Sequence, residues 1–301
     1  MKALRLSCIF SLLLLMGVIM PSCCDDIEPR DPTTRQVRLH VDVDSAFTHL
    51  RDVTITRSDS VQRRYTVVIF QNADIIQTHV SHSPDFELKV PVGQLRYTAF
   101  VDFVPSGSLE DWHFFTDEYQ ELLLVEKNGY RANDPSIMAY HGFTDMLMEK
   151  GRDIVDVNIL ATPAMGQYRL LATDTPDYEV GHIKVVYNKT LPSAIHGYTG
   201  EICYAWVDAQ YTCQPQHDDV MCFDNVYAPR EEAPIHARIE VYDTEGHIRA
   251  RMLDVEIPME RGKTTNIRGD FYTTFEKEPG SGGGLSIGID PEFSEVFVIE
   301  I

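Results

Sequence analysis

Positive charge is scarce in this sequence. Its 26 Lys and Arg stand against 46 Asp and Glu, a formal net charge of −20, and a chain so short of clustered cations is not built to neutralise a nucleic-acid phosphate backbone. Cysteine is scarce as well: six in 301 residues do not make the disulfide framework that holds small secreted domains. Tryptophan is limited to two residues, and the glycines and prolines are too dispersed for a collagen-like or low-complexity protein. No His-Glu-x-x-His zinc motif occurs. With 44% hydrophobic residues the chain is still ordinary globular material rather than a disordered acidic tail. Its length is enough for two compact domains.

A long, largely apolar stretch stands at the start. Lys2 and Arg5 precede Ile9 to Met20, the charged and apolar regions of a secretory signal peptide, too short and too weakly flanked for a membrane span. Pro21-Ser22-Cys23-Cys24 follows, and a small residue before cysteine at the end of such a run resembles the lipobox of bacterial lipoproteins. Cys23 is the better acceptor, with Ser22 before it and Met20 three positions upstream, where Cys24 would have Pro21. Cleavage before Cys23 removes Lys2 and Arg5 and no acid, taking the net charge from −20 to −22. The resemblance implies a diacylated Cys23, and two acyl chains suffice for stable anchoring. Asp25-Asp26 just after it resembles the surface-export signal of Bacteroidetes lipoproteins, so the expected location is the outer membrane, lipid-anchored and facing outward. Residues 23–34, with Pro29 and Pro32 among charges, read as an exposed tether.

Beyond the tether the pattern is that of strands. Val37, Leu39, Val41 and Val43 alternate with Arg38, His40, Asp42 and Asp44, the period of a strand with one buried face. The same period recurs at Tyr65-Val67-Ile69, Phe86-Leu88-Val90, Tyr97-Ala99-Val101-Phe103, Val155-Val157-Ile159, Tyr168-Leu170-Ala172, Ile183-Val185-Tyr187 and Ile239-Val241. Asn128-Gly129 and Glu245-Gly246 read as hairpin turns and Pro91-Val92-Gly93 as a tight connection. Only Ser136 to Glu149 reads as helical. Many short strands with few helices predict an all-β protein of β-sandwiches. Thr162-Pro163-Ala164-Met165-Gly166 interrupts two strand patterns near the midpoint, which divides the chain into sandwiches over 35–163 and 164–301, with a junction open to protease.

Chemistry is thinly represented. His217-Asp218-Asp219 with Asp224-Asn225, between Cys213 and Cys222, match neither a calcium loop nor a zinc pattern, so a solvated loop is expected and no metal. Cys213 and Cys222 could close that loop as a disulfide in an oxidising compartment, with Cys203 free or an alternative partner; three buried thiols are the competing reading. Gly280-Ser281-Gly282-Gly283-Gly284 lacks the Lys-Ser/Thr of a phosphate cradle. Asp111, Asp117 and Glu118 beside Trp112 are the nearest approach to a glycosidase carboxylate pair, and Trp112 and Trp206 to sugar-stacking platforms. No catalytic residue and no cofactor is expected.

Several stretches carry a family resemblance. The lipobox, the run from Phe86 to Asp102, and Ala139-Tyr140-His141-Gly142 resemble the FimB-like fimbrial anchor and minor-subunit lipoproteins of Bacteroidetes. Pro163 to Asp174, Arg261 to Phe271, and Gly282-Gly283-Gly284 leading to Ile287-Gly288-Ile289-Asp290 are similar to the domain-crossing strand, late strand pair and tail of that family. The resemblance implies two tandem transthyretin-like sandwiches, a lipid anchor, other fimbrial subunits as partners, strand exchange as the joint, and no enzymatic activity. Two segments suit exchange: Val37, Leu39 and Val41 near the start, and Phe297 and Ile299 at the end. Cleavage after Arg35 would release the lipid and free the first of these, so an anchor is expected to keep Arg35-Gln36 intact. The alternative function is a surface glycan-binding lipoprotein built from similar sandwiches.

Overall fold

The computed structural model of the chain describes residues 33–44, 60–116, 121–124, 133–134, 136–187, 191–205, 209–215, 220–275, 285–288 and 298–300. The protein is all-β. Among the described residues there is no helix, and hence none long and apolar enough to cross a membrane.

The first nine strands are β1 (Thr34–Val43), β2 (Val61–Gln71), β3 (Asp74–Ser81), β4 (Asp85–Pro91), β5 (Gly93–Pro105), β6 (Phe114–Phe115), β7 (Glu121–Leu124), β8 (Ala139–Met148) and β9 (Val155–Pro163). Seven of them form one folded-over sheet in the order β3-β2-β5-β8-β9-β1-β4. It bends between β8 and β9, which pair only at Tyr140↔Pro163 and His141↔Thr162. A Cβ on Gly142 would stand 2.2 Å from the Leu160 carbonyl oxygen, so the bend needs glycine there. The two leaves face each other across Val37, Leu39 and Val41 of β1, Phe86, Leu88 and Val90 of β4, Val157 and Ile159 of β9, and Tyr65, Val67, Ile69, Tyr97, Ala99 and Val101 of β2 and β5. These are the alternating sets the sequence predicts. Pro91-Val92-Gly93 is the tight connection expected, with Gly93 at φ 131°. The segment from Ser136 is not a helix: β8 runs through it, held by ten register pairs to β5, because Tyr140, Phe143 and Thr144 suit a pleated surface with a long partner already in place.

The remaining strands are β10 (Met165–Ala172), β11 (Val180–Tyr187), β12 (Leu191–His196), β13 (Ile202–Ala205), β14 (Gln210–Cys213), β15 (Val220–Tyr227), β16 (Ala233–Asp243), β17 (Ile248–Met259), β18 (Thr264–Gly269), β19 (Leu285–Gly288) and β20 (Val298–Glu300). A sheet ordered β14-β11-β16-β17 faces one ordered β15-β10-β18-β20-β19. Between them lies a second core that includes Tyr168, Leu170, Ile183, Val185, Ile239, Val241 and Ile267. Glu245-Gly246 turns the β16–β17 hairpin, with Gly246 at φ 86°.

The passage from β9 to β10 is not an exposed linker. Ala164 is fully buried; its N–H donates to the Ala139 carbonyl at 2.8 Å and its carbonyl accepts from Ala228 N at 3.2 Å. A Cβ on Gly166 would lie 2.5 Å from the Glu260 carbonyl oxygen, so the crossing is packed to backbone contact. Sequence pattern breaks here because the strand changes partners, and nothing about that change requires solvent.

Candidate functional site: the joining strands and the joint

Whether a strand can be exchanged depends on how completely it is held at home. β1 is held on both sides. It pairs antiparallel with β4 from Thr34↔Pro91 to His40↔Asp85 and parallel with β9 from Val37↔Val155 to Val43↔Ala161. Val37, Leu39 and Val41 are each at most 2% exposed. Arg35 lies inside this strand, and its guanidinium donates to the carbonyls of Glu149 at 3.2 Å and Asp153 at 2.8 Å in the β8–β9 connection. Its peptide bond therefore sits in a paired strand whose side chain is tied down.

The C-terminal candidate lies in β20. Among the described residues β20 pairs parallel with β18 at Asn266↔Val298 and Ile267↔Ile299, and antiparallel with β19. Phe297 lies outside the described residues, and Ile299 is placed by backbone pairing alone.

The two sandwiches share a joint of three parts. The faces of β2 and β5 turned away from the first core carry Val68, Phe70 and Phe100, which pack with Phe114, Ile137 and Ala139 against Ala164, Met165, Ile195 and Tyr227. Phe114 is edge-on to Phe100 at 5.6 Å and to Tyr227 at 5.7 Å. The strands β6 and β7, inserted after β5, continue into β12 and β13 as one sheet ordered β13-β12-β7-β6. The turn after β12 completes the joint: Tyr198 meets Phe70 edge-on at 5.0 Å, and its carbonyl accepts from Arg96 at 3.0 Å. Arg96 is itself fixed bidentately by Asp145 at 2.7 and 2.6 Å. Beside it the His141 Nε2–H donates to the Gly197 carbonyl at 2.9 Å, and burial pushes this imidazole down to about 4.

The same β2–β5 face explains a buried ion cluster. Arg64 Nε and one Nη donate to the two Asp102 oxygens at 2.9 and 2.7 Å, and the other Nη to Asp111 at 2.5 Å. Thr116 braces Asp111 through its N–H at 2.8 Å and hydroxyl at 2.7 Å. Burial pushes the Asp102 carboxyl up to about 6, and the Arg64 guanidinium opposes that rise. Asp111, the described member of the glycosidase candidates, is thus engaged by Arg64 and Thr116 in a bracing role; Asp117 and Glu118 lie outside the described residues. Trp112 stacks at 3.8 Å and 37° on His113, and Trp206 lies outside the described residues.

Of the loop between the cysteines, His217, Asp218 and Asp219 are outside the described residues, while Asp224 and Asn225 are buried in β15. Cys213 and Cys222 are not joined by a disulfide here; the neighbouring Cys213 thiol and burial raise the proton affinity of Cys222. Asp243, Glu245 and His247 bring ligand-type atoms together in the β16–β17 turn. Asp243 Oδ1 already accepts the Glu245 and His247 N–H groups at 3.0 and 2.8 Å, the brace of an Asx-type turn. Gly284-Leu285-Ser286-Ile287-Gly288 spells the Gly-x-Ser-x-Gly pattern of a nucleophile elbow. Ser286 lies within β19, paired with β20, whereas an elbow needs a sharp strand-to-helix turn.

Solved structures to which the chain is similar include the fimbrial anchor protein Mfa2 from Porphyromonas gingivalis, at 11% identity over 78% of this chain and 90% of that one, with a TM-score of 0.46. A fimbrial assembly protein from Parabacteroides distasonis is 10% identical over 89% and 98%, with a TM-score of 0.44. The tip fimbrial protein Mfa3 from Porphyromonas gingivalis is 8% identical over 85% and 98%, with a TM-score of 0.46. No curated protein matches. One family model covers both sandwiches, the crossing at Ala164 and the strands on either side of it, from residue 29 to residue 298, and by that match the chain belongs to DUF6562, a family of unknown function.

Proposed function

We propose that this protein is a fimbrial anchor or accessory subunit, a cell-surface lipoprotein fixed in the outer membrane through a lipid on Cys23 and joined to other fimbrial subunits by β-strand addition. It carries out no reaction. The observation that carries the reading is the state of β1. The strand that begins eleven residues after Cys23 is already seated between β4 and β9, so the slot between those two strands is filled by the chain itself. An extended tether of that length reaches at most about 40 Å, which keeps this sandwich close to the bilayer. Arg35, paired and tied to Glu149 and Asp153, supports retention of the bond that would otherwise release the lipid.

Joining then falls to the other end. Among the described residues β20 lies between β18 and β19, and strand addition would trade home pairing of this kind for main-chain bonds to a neighbour. The test is a pull-down from envelopes of the producing cells. Wild-type protein is expected to carry acyl chains on Cys23 by mass spectrometry and to bring down a fimbrial partner. Ile299→Asp should lose the partner while keeping the lipid, and Cys23→Ala should be released as soluble protein. Partner recovery unchanged in a folded Ile299→Asp variant, together with oligosaccharide binding, would replace this reading with the glycan-binding one.

A further inference from the structure

Cys213 ends β14, the outer strand of one sheet of the C-terminal sandwich, and Cys222 lies in β15, the outer strand of the facing sheet. Each is placed by its neighbour: Cys213 by its register with Ile183 and Cys222 by its register with Leu170. Tyr211, two residues before Cys213 and so on the same strand face, sends its hydroxyl across to Cys222 Sγ at 3.7 Å. That hydroxyl also meets Tyr168 at 2.5 Å, which in turn meets Tyr187 at 2.9 Å, and Tyr187 donates to Asp224. Four buried polar side chains from both sheets thus fix the alignment of the two edges beside Cys222. Cys222 is fully buried and Cys213 is partly exposed.

We propose that Cys213 and Cys222 close into a disulfide that staples the two sheets at their adjoining edges, with Cys213 as the entering thiol. The oxidant is a disulfide of the thiol–disulfide exchange class. The Cys213 thiolate attacks one of its sulfurs, the oxidant's S–S bond breaks, and one thiolate leaves. The Cys222 sulfur, giving up its proton, then attacks Cys213 and expels the second thiol. The protein loses two protons and two electrons, and the oxidant is reduced to two thiols. The order follows from access, since only Cys213 can be reached from solvent. The proton affinity of the Cys222 thiol, raised by the neighbouring Cys213 thiol and by burial, agrees with its acting second.

The test treats the full purified chain with oxidised glutathione, blocks remaining thiols under denaturing conditions, and digests with trypsin and an Asp-specific protease. That combination places Cys203, Cys213 and Cys222 on separate fragments because Asp208, Asp218 and Asp219 intervene. The expected product links residues 208–217 to 219–223, with Cys203 alkylated. Linkage of Cys203 to either thiol, or alkylation of all three, overturns the proposal. Cys222→Ala should take up one glutathione on Cys213 while Cys213→Ala stays unmodified at Cys222; the reverse would overturn the order. Closing so short a loop should raise the melting temperature of oxidised over reduced protein by about 5–10 °C, and Cys213→Ala should abolish that difference. The same digest on protein from envelopes reads export separately: thiols there beside a ready disulfide in the tube would support the pairing and count against the proposed compartment.

Discussion

Phe114→Ala tests whether the two cores behave as one body. Phe114 is fully buried and edge-on to Phe100 on one side and Tyr227 on the other. Burying a Phe side chain contributes about 1.5–3 kcal/mol by transfer from water, and the unfilled cavity left on truncation raises the cost to about 3–5 kcal/mol. The two aromatic contacts, at roughly 0.5–1.5 kcal/mol each, fall within that total. At roughly 2–3 °C per kcal/mol for a chain of this size, melting should fall by about 6–15 °C. Calorimetry provides the sharper reading. Wild-type protein should melt in one transition whose calorimetric and van't Hoff enthalpies agree, because the two sandwiches share an apolar joint and a sheet. Phe114→Ala should separate that transition into two. Phe115→Ala, at a residue 41% exposed, should stay within about 1 kcal/mol of wild type. Two transitions already present in the wild type, with neither midpoint moved by Phe114→Ala, would refute the coupling.

The other predictions are narrower. His141, held neutral at about 4, has a folded-state pKa below its unfolded value, so its contribution is present above pH 6.5 and is lost as pH falls from 6.5 toward 4; between pH 7 and 4.5 wild type should lose about 2–3 kcal/mol more than His141→Asn, measured by urea unfolding, and equal losses would refute it. Trypsin should leave Arg35–Gln36 intact under native conditions, read by N-terminal sequencing, and release of Gln36 as a new N-terminus from folded protein would show that the strand opens. Leu39→Asp should unfold the N-terminal sandwich by circular dichroism, since it buries an unpaired charge, whereas Ile299→Asp should leave the spectrum near wild type.

The parts legible in the sequence are those where one face of a strand meets the core and the other meets water. β1, β4 and β9 alternate for that reason, and each was found at its predicted place. β2 and β5 are buried on both faces, yet Arg64, Thr66, Thr98 and Asp102 on the second face are polar, so that face reads as solvated. It is covered by elements distant in sequence, and its polar groups include an ion cluster rather than a wet surface. The shared sheet of β6, β7, β12 and β13 was illegible because short strands pair across roughly seventy residues and no local pattern encodes the partner. The cysteine pair was visible in spacing, but its position between two sheets came only from the fold.

The placement of β1 has a mechanical side. A pull on the residues before Thr34 acts along the strand, and its rungs to β4 and β9, seven on each side, lie across that direction. They are loaded together in shear. A strand pulled sideways from its end instead parts rung by rung, at a much lower force. A chain gripped through its first strand therefore resists extraction by summing its rungs.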